Sequence, residues 1–391
     1  MQQYDAIVAG AGAAGSTAAR LLAEEKGMRV LVIDRRSHIA GNCYDEADEH
    51  GVLIHKYGPH IFHTSDEDVY RFLSRFTEWH SFTHTVDASI DGRLVPVPFN
   101  LNSLQIVFEE QRAARIREKL VGKYGMEQRV PILTLMKEED EDLRDAGRYV
   151  YDNIYLKYTM KQWGKKPEEI DPAVTARVPV VVTTKNAYFP ADKYQGVPLH
   201  GFTAMFQKML DFPGITVRLN TEAADLLSFD GGRICLKESG EAFQGLLVYT
   251  GALDELFGLR YGRLPYRTLR FAFEHYDMDS FQGRSVVNYT VSEDYTRITE
   301  YKYLTGQTVS GTTISKEYPA QYTGVDGEIP YYAIAGDDSL LLYGRYRALA
   351  DRYANMRLLG RLAEFKYYNI DKIVGESVRM AEAAEKRSRE S

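Results

Sequence analysis

The sequence predicts an α/β protein built from three interleaved domains. Three observations predict it. Residues 4–34 run as a strand, a glycine-rich turn, a helix, a second strand and a closing acid. Residues 101–161 follow a mainly helical pattern. From Arg267 onward the chain becomes strand-like, rich in Tyr, Thr and Val.

The N-terminal unit carries the most specific signal. Residues 4–8 read as a buried strand, followed by Gly10-Ala11-Gly12-Ala13-Ala14-Gly15 and a helical run to Lys26. Gly27 stands where a helix C-cap favours a left-handed residue. Arg29 to Ile33 is a second apolar strand, ended by Asp34. In this pattern Gly10 permits the tight turn, Gly12 lets a pyrophosphate approach the backbone, and Gly15 lets helix and strand pack closely. The helix N-terminus then faces the phosphates, and Asp34 can accept from ribose hydroxyls. This is a Rossmann-type dinucleotide-binding unit; the bland alternative is a glycine loop that merely turns the chain. Only one such fingerprint occurs, which argues against a second, NADPH-binding unit. The run Leu246 to Gly251 resembles the strand ending in Thr-Gly of FAD domains of the glutathione-reductase type, so mid-chain sequence is expected to return to the first sheet.

The middle of the chain is read in order. Ser65 precedes an acidic first turn (Asp66, Glu67, Asp68), and Val69, Phe72, Leu73 and Phe76 follow at helical spacing as core. Residues 82–99 read as two strands, Phe82 to Ile90 and Arg93 to Phe99, with Pro96 and Pro98 placing the second at an edge. Leu143, Ala146, Val150 and Ile154 mark one helical face, and the acidic run Glu138 to Asp142 is read as solvated. Strands are expected at 268–274, 285–290, 297–304 and 308–315, and helices near 338–354 and from about Asn369. There is no internal repeat and no linker, so the domains are expected to interleave.

Composition bounds the function. The chain has 391 residues, 44% apolar and 26% charged, an ordinary globular balance for two or three domains. The formal net charge of −7 argues against general nucleic-acid binding, which relies on neutralising phosphates. Cys43 and Cys235 are the only cysteines, too few for a disulfide framework or a metal set and suited to a reducing cytosol. No apolar run has membrane-spanning length and no basic export signal opens the chain, so a cytoplasmic protein is expected. The 28 tyrosines against 2 tryptophans suit sites that stack a base and hydrogen-bond a sugar, although packing must account for most.

Several runs then coincide in order and spacing. They are His38 to Asn42, Tyr57 to Thr64 with its His60-Ile61-Phe62-His63, Tyr158 to Gly164 with its Lys161-Gln162-Trp163-Gly164, Tyr295-Thr296-Arg297, Lys316-Glu317-Tyr318 and Gly360-Arg361-Leu362. Together they resemble the bacterial UDP-galactopyranose mutases, from about residue 4 to about 385. That resemblance implies an enzyme that interconverts the pyranose and furanose forms of UDP-galactose without net redox change. It implies FAD as cofactor, active when reduced, with flavin N5 forming a covalent adduct with the sugar while UDP departs and returns.

The resemblance also implies residue roles. Arg177 and Arg297 match a pair of diphosphate-binding arginines, whose forks suit phosphate oxygens and charge developing on departing UDP. Tyr158 matches a uracil-stacking tyrosine, with Tyr155 beside it, and Trp163 a tryptophan beside the sugar. Tyr188, Tyr318 and Tyr367 match tyrosines of the diphosphate and sugar pocket, and Asn288 a uracil-contacting asparagine. His60 and His63 match histidines at the flavin face, with His63 tuning N5 or contacting a sugar hydroxyl. Zinc is a second reading of His60-x-x-His63, but no Cys or carboxylate stands at convincing spacing, so no metal is expected. Arg361 matches an arginine near the flavin phosphates. Arg35, Gly41, Asn42, Asn369 and Ile370 complete the expected cofactor set with Gly10, Gly12, Gly15 and Asp34.

Departures cluster away from the fingerprint. Ala40 stands where the family usually has Gly, a mild change on unstrained backbone. Ile154-Tyr155 replace two aromatics, Lys157 a common Gly, and Asn369 a common Asp, losing a negative charge and gaining donors. A mutase of the same mechanism acting on a GDP-linked sugar or another UDP-hexose is the alternative, and an FAD amine-oxidase-like redox enzyme a more distant one. The expected domains are an FAD-binding domain over 1–80, 195–253 and 335–391, a helical domain over 103–172, and an antiparallel sheet domain over 81–102, 173–194 and 254–334. A homodimer is expected from the family's habit.

Overall fold

The computed structural model describes residues 4–163 and 179–384, without the side chains of Gln162 and Trp163. Arg177 and Gly164 lie outside the described residues, as does the side chain of Trp163. Five strands form one parallel sheet in the order Ile215–Arg218, Val30–Ile33, Ala6–Ala9, Leu246–Tyr249 and Met356–Leu358. The return of Leu246–Tyr249 to the first strand is as expected, with Ala6 paired to Leu246.

The central strands are apolar without alternation because helices and loops cover both faces. Val8, Val30 and Val32 share a core with the helices Ala13–Glu24, Gly201–Leu210 and Ile370–Glu382. Ile7, Leu31 and Leu247 point the other way, into a core with Leu253, Tyr346 and Leu349. Each such side chain contributes about 1.5–3 kcal/mol on burial, so a charge at Val32 would break the sheet at its centre. Alanines and Gly15 let the first helix lie close: a Cβ on Gly15 would stand 1.8 Å from the Gly10 carbonyl oxygen. Gly27 adopts φ +60°, as its C-cap position asks.

A second sheet runs Tyr332–Ala333, Tyr266–Tyr276, Thr312–Gln321, Arg297–Glu300, Val286–Tyr289, Val86–Ile90 and Arg93–Val97. It is antiparallel except where Val286–Tyr289 meets Val86–Ile90 in parallel. The expected strand 297–304 stops at Glu300 and gives way to the helix Tyr301–Thr305. The buried Glu300 carboxylate explains the stop. It accepts from the amides of Phe281 and Gln282 and the hydroxyl of Thr312, tying this point to two loops. The expected strand 308–315 begins later and runs through Pro319 to Gln321.

The helical region comprises Leu101–Val107, Glu110–Tyr124, Ile132–Leu135 and Glu141–Val150 around Leu104, Ile116, Leu120, Leu135, Leu143, Ala146 and Val150, and it ends in Lys157–Trp163. The acidic run read as solvated instead faces the basic side of Glu110–Tyr124. Lys119 reaches Asp140 and Asp142 at 2.7 and 2.9 Å, Arg112 reaches Asp145 at 2.6 Å, and Glu138 pairs with Lys123 and Tyr124. Water screens such surface pairs strongly, so they orient the helices more than they hold them. Residues Tyr151–Leu156 form a π-helical turn, a local widening that leads directly into Tyr158.

Candidate active site

The glycine turn forms the floor of a groove at the C-terminal end of the parallel strands. Gly10 has φ +114°, and a Cβ there would lie 1.9 Å from Thr250 Oγ1. Gly41, at φ +56°, would place a Cβ 2.9 Å from Gly12 Cα. The two glycines thus let the turn close against Thr250 and against the loop at Gly41, which builds the floor on which a pyrophosphate would lie. Asp34 is held by its own turn: Oδ2 accepts from the Ala11 amide at 2.8 Å and Oδ1 from the Arg36 amide at 2.9 Å. Each oxygen keeps one lone pair for a ribose. Arg35 lines the groove but is paired to Glu255 at 3.0 Å. Arg36, absent from the sequence expectations, donates to Asn42 Oδ1 at 2.8 Å and lies over the Tyr57 ring. Its buried Nη1 has no protein partner among the described residues and lines the same groove, a cation fitted to an anionic guest. The residues present therefore fit a flavin dinucleotide.

Asn42, His60, Arg361 and Ile370 line both this groove and a second cleft, so the two are continuous. The cleft lies between the parallel sheet and the large antiparallel one. His60 Nδ1 meets the Gly58 carbonyl at 2.8 Å, which fixes the proton on Nδ1. Burial, then His55 and Arg361, push its pKa down to about 3, so it is a neutral histidine. His63 stacks on Phe189 at 3.5 Å, with Nδ1 2.6 Å from Asp192 Oδ2. His60 and His63 thus serve separate partners. Arg361 donates through Nε to the Tyr368 carbonyl at 2.5 Å and lies over Tyr367.

Arg297 supplies the cleft with a permanent cation. Asn288, Arg297 and Glu317 are register partners on three adjacent strands, so they stand in one row on one face. Arg297 Nε donates to Asn288 Oδ1 at 3.1 Å, Nη2 to Tyr158 Oη at 3.3 Å, and Nη1 lies 3.7 Å from Glu317 Oε2. Asn288 is buried and holds the arginine. Tyr188 also lines the cleft, and Tyr367 stands at its rim, 67% exposed. Asn369 lines the cleft at the N-cap of Ile370–Glu382, but its side chain makes no capping hydrogen bond.

Tyr158 and Asn288 stand behind the cleft lining, in contact with Arg297, and two further expected substrate residues lie elsewhere. Tyr318 follows Glu317 on its strand, so its side chain leaves by the opposite face. It stacks under Arg270 at 4.2 Å and beside Tyr295, outside the cleft lining. Tyr155 is 4% exposed and packs into the helical core with Tyr151. In their place Glu317, Tyr331, Tyr332 and His84 line the cleft. His84 is buried between Tyr188 and Phe189, with an unpartnered Nδ1 among the described residues. Burial, then Arg297 and His63, hold its pKa down to about 3. Glu317 stands inside the Lys316-Glu317-Tyr318 run and His84 inside the strand read over 82–90, whereas Tyr331 and Tyr332 fall in a stretch with no expected element.

The groove and cleft together define a flavoprotein whose cofactor site opens onto a cationic, tyrosine-lined chamber. A family model described as UDP-galactopyranose mutase matches residues 153–367, and one described as an NAD(P)-binding Rossmann-like domain matches 8–76. The chain is 33% identical to the UDP-galactopyranose mutase of Mycoplasma pneumoniae over 97% of its length and 96% of that protein. It is also 33% identical to the dTDP-fucopyranose mutase of Escherichia coli, over 98% of this chain and 99% of that one. The solved structure of a reduced UDP-galactopyranose mutase superposes with TM-score 0.66 at 15% identity, covering 97% of this chain and 93% of that one, a likeness of fold. The chain belongs to the UDP-galactopyranose mutase family. It is accordingly an FAD-dependent mutase. Among the described residues no helix is long and apolar enough to cross a membrane.

Proposed function

We propose that the protein interconverts UDP-galactopyranose and UDP-galactofuranose, with FAD in its reduced form. The observation that carries this reading is Arg297, a fixed cation in the chamber into which the cofactor groove opens. Reduced flavin supplies a nucleophile for the anomeric carbon, as the family resemblance implies. The chain does the rest. Arg297 binds the diphosphate and stabilises its charge as it departs. Arg177, taken from the resemblance, supplies the second fork. Tyr158 and Tyr188 flank the diphosphate path, and burial raises both hydroxyls above the ordinary tyrosine range, so they stay protonated donors. His60, Asn42 and Arg361 frame the junction of groove and cleft, and His63 lines the cleft beyond it.

A second reading rests on a specific observation: the chain is equally identical to relatives named for UDP-galactopyranose and dTDP-fucopyranose. The same chemistry on another nucleotide sugar is that reading. One experiment separates the two. Dithionite-reduced protein is incubated with UDP-galactofuranose, dTDP-fucofuranose and GDP-linked hexoses, with oxidised protein as control. Conversion of UDP-galactofuranose alone, and only when reduced, supports the first. Selective conversion of another sugar replaces it. Flavin bleaching by a substrate without isomerisation removes both. We also read the protein as a homodimer, on the family's habit, and as cytoplasmic, on its two lone cysteines; sedimentation tests the dimer.

A further inference from the structure

His63 is held in a way its sequence neighbourhood does not suggest. Its strand, Phe62–Thr64, pairs antiparallel with Tyr194–Pro198, and His63 is the register partner of Gln195. That pairing brings the segment before Tyr194 alongside His63. The segment then contributes twice. Phe189 covers one face of the imidazole, with centroids 3.5 Å apart and planes 9° apart. Asp192 Oδ2 meets Nδ1 at 2.6 Å. The segment is itself tied down. The Asp192 amide donates to the Phe189 carbonyl at 3.2 Å, Gln195 Nε2 donates to the Asp192 carbonyl at 2.9 Å, and Ser65 Oγ donates to the Ala191 carbonyl at 2.6 Å.

A carboxylate only accepts, so this contact places the proton on Nδ1. The other ring nitrogen, Nε2, takes no hydrogen bond from the described residues, and His63 lines the cleft. We propose that Asp192 is the positioning residue for His63: it holds the proton on Nδ1 and the orientation of the ring, so that Nε2 is presented to the cleft as a lone-pair acceptor. The inference rests on the reading of His63 as a residue of the reaction chamber. Its chemical consequence is a match of polarity. Sugar hydroxyls and the N–H of a reduced flavin are donors, and an acceptor at Nε2 can receive one. Without the carboxylate the ring can turn an N–H into the cleft, donor against donor. His60 reaches the same tautomer by a different route, through the Gly58 carbonyl. Both histidines of the motif thus carry their proton away from Nε2.

The test uses the FAD-loaded protein labelled with 15N-histidine. Two-bond proton–nitrogen correlation should show His63 with its proton on Nδ1 in the wild type. In Asp192→Leu the Nε2–H form should appear, kcat should fall about tenfold or more with KM within about threefold, and Asp192→Glu should recover part of the loss. In a His63→Ala background Asp192→Leu should cost less than about twofold, because the two residues act as one unit. An Nε2–H tautomer in the wild type overturns the inference, as does a kcat within about twofold of wild type in Asp192→Leu. An equal cost of Asp192→Leu with and without His63 overturns it too. If Asp192→Leu does not fold, the wild-type tautomer and the Asp192→Asn cycle decide it by the same criteria. A fully active His63→Ala would instead remove the role of His63 itself, whereas an impaired His63→Ala beside an unimpaired Asp192→Leu removes only Asp192.

Discussion

Asn288 and Arg297 face each other across two antiparallel strands, and the arginine donates through Nε to the amide oxygen at 3.1 Å. The contact leaves Nη1 and Nη2 turned toward Glu317 and Tyr158. A guanidinium held this way keeps its planar fork oriented at little entropic cost when a diphosphate arrives.

Removing the cation should therefore separate catalysis from cofactor binding. Arg297→Ala is expected to reduce kcat/KM by about a thousandfold, the scale seen when a preorganised charge contact is removed. The protein should stay yellow and folded, because Arg297 lines the cleft and not the dinucleotide groove. Asn288→Ala, which only releases the arginine, should cost about tenfold, the equivalent of one hydrogen bond to a charged group. Steady-state kinetics beside flavin absorbance checks both; near-normal turnover in Arg297→Ala would remove the residue from the mechanism.

The face on which each tyrosine lies gives a second prediction. Tyr332→Phe should raise KM for the nucleotide sugar about three- to tenfold, the loss of one hydrogen bond. Tyr318→Phe should leave KM unchanged, since its ring lies under Arg270 on the other face of its strand. The reverse pattern would restore Tyr318 as a substrate contact.

This contrast also marks where the sequence stopped being readable. The glycine turn, its helix and Asp34 were legible because their chemistry is local: backbone torsion, close packing and one acid within a short span. Arg297, His60 and Arg361 were legible through their motifs. Glu317 and Tyr318 were not distinguishable, since strand register alone decides which of two neighbours enters the cleft. A one-residue slip exchanges them. His84, Asp192 and Tyr332 come from segments whose approach depends on tertiary pairing, such as Gln195 with His63. The same holds for the stop at Glu300, set by a carboxylate that serves loops distant in sequence.

Three neutral histidines predict how acid acts. His55, His60 and His84 all have pKa values pushed down to about 3, burial being the largest cause in each. Their unfolded forms titrate near 6.5, so between about pH 6.5 and 3 the unfolded chain binds more protons than the folded one. Stability should therefore fall as pH drops through that window, by up to about 1.4 kcal/mol per pH unit for each histidine. Urea unfolding of the flavin-loaded protein at pH 7, 6 and 5 checks the slope. His84→Gln, which cannot charge, should flatten the decline by about one proton. An unchanged slope in that variant would mean that His84 does not resist protonation.

Ala40 gives the last prediction, because its backbone is strained where the resemblance has glycine. It is fully buried and sits at φ +71°, in the left-handed region where a Cβ crowds its own carbonyl. Its amide is fixed to the Ala11 carbonyl at 2.8 Å, so the torsion cannot relax without loosening the glycine turn. The left-handed conformation costs an alanine about 1–2 kcal/mol, while glycine adds about 0.5–1 kcal/mol of unfolded-state entropy. The two terms oppose each other, and the strain is the larger. Ala40→Gly should therefore stabilise the protein by about 0.5–1 kcal/mol. Ala40 precedes Gly41 at the dinucleotide groove, so the relaxed torsion also reaches the floor on which the cofactor lies. Thermal unfolding of the apoprotein isolates the backbone effect, and flavin titration reports the second. A lower melting temperature for Ala40→Gly would show that the methyl group, packed in the core with Ala11 and Ala14, contributes more than the torsion costs.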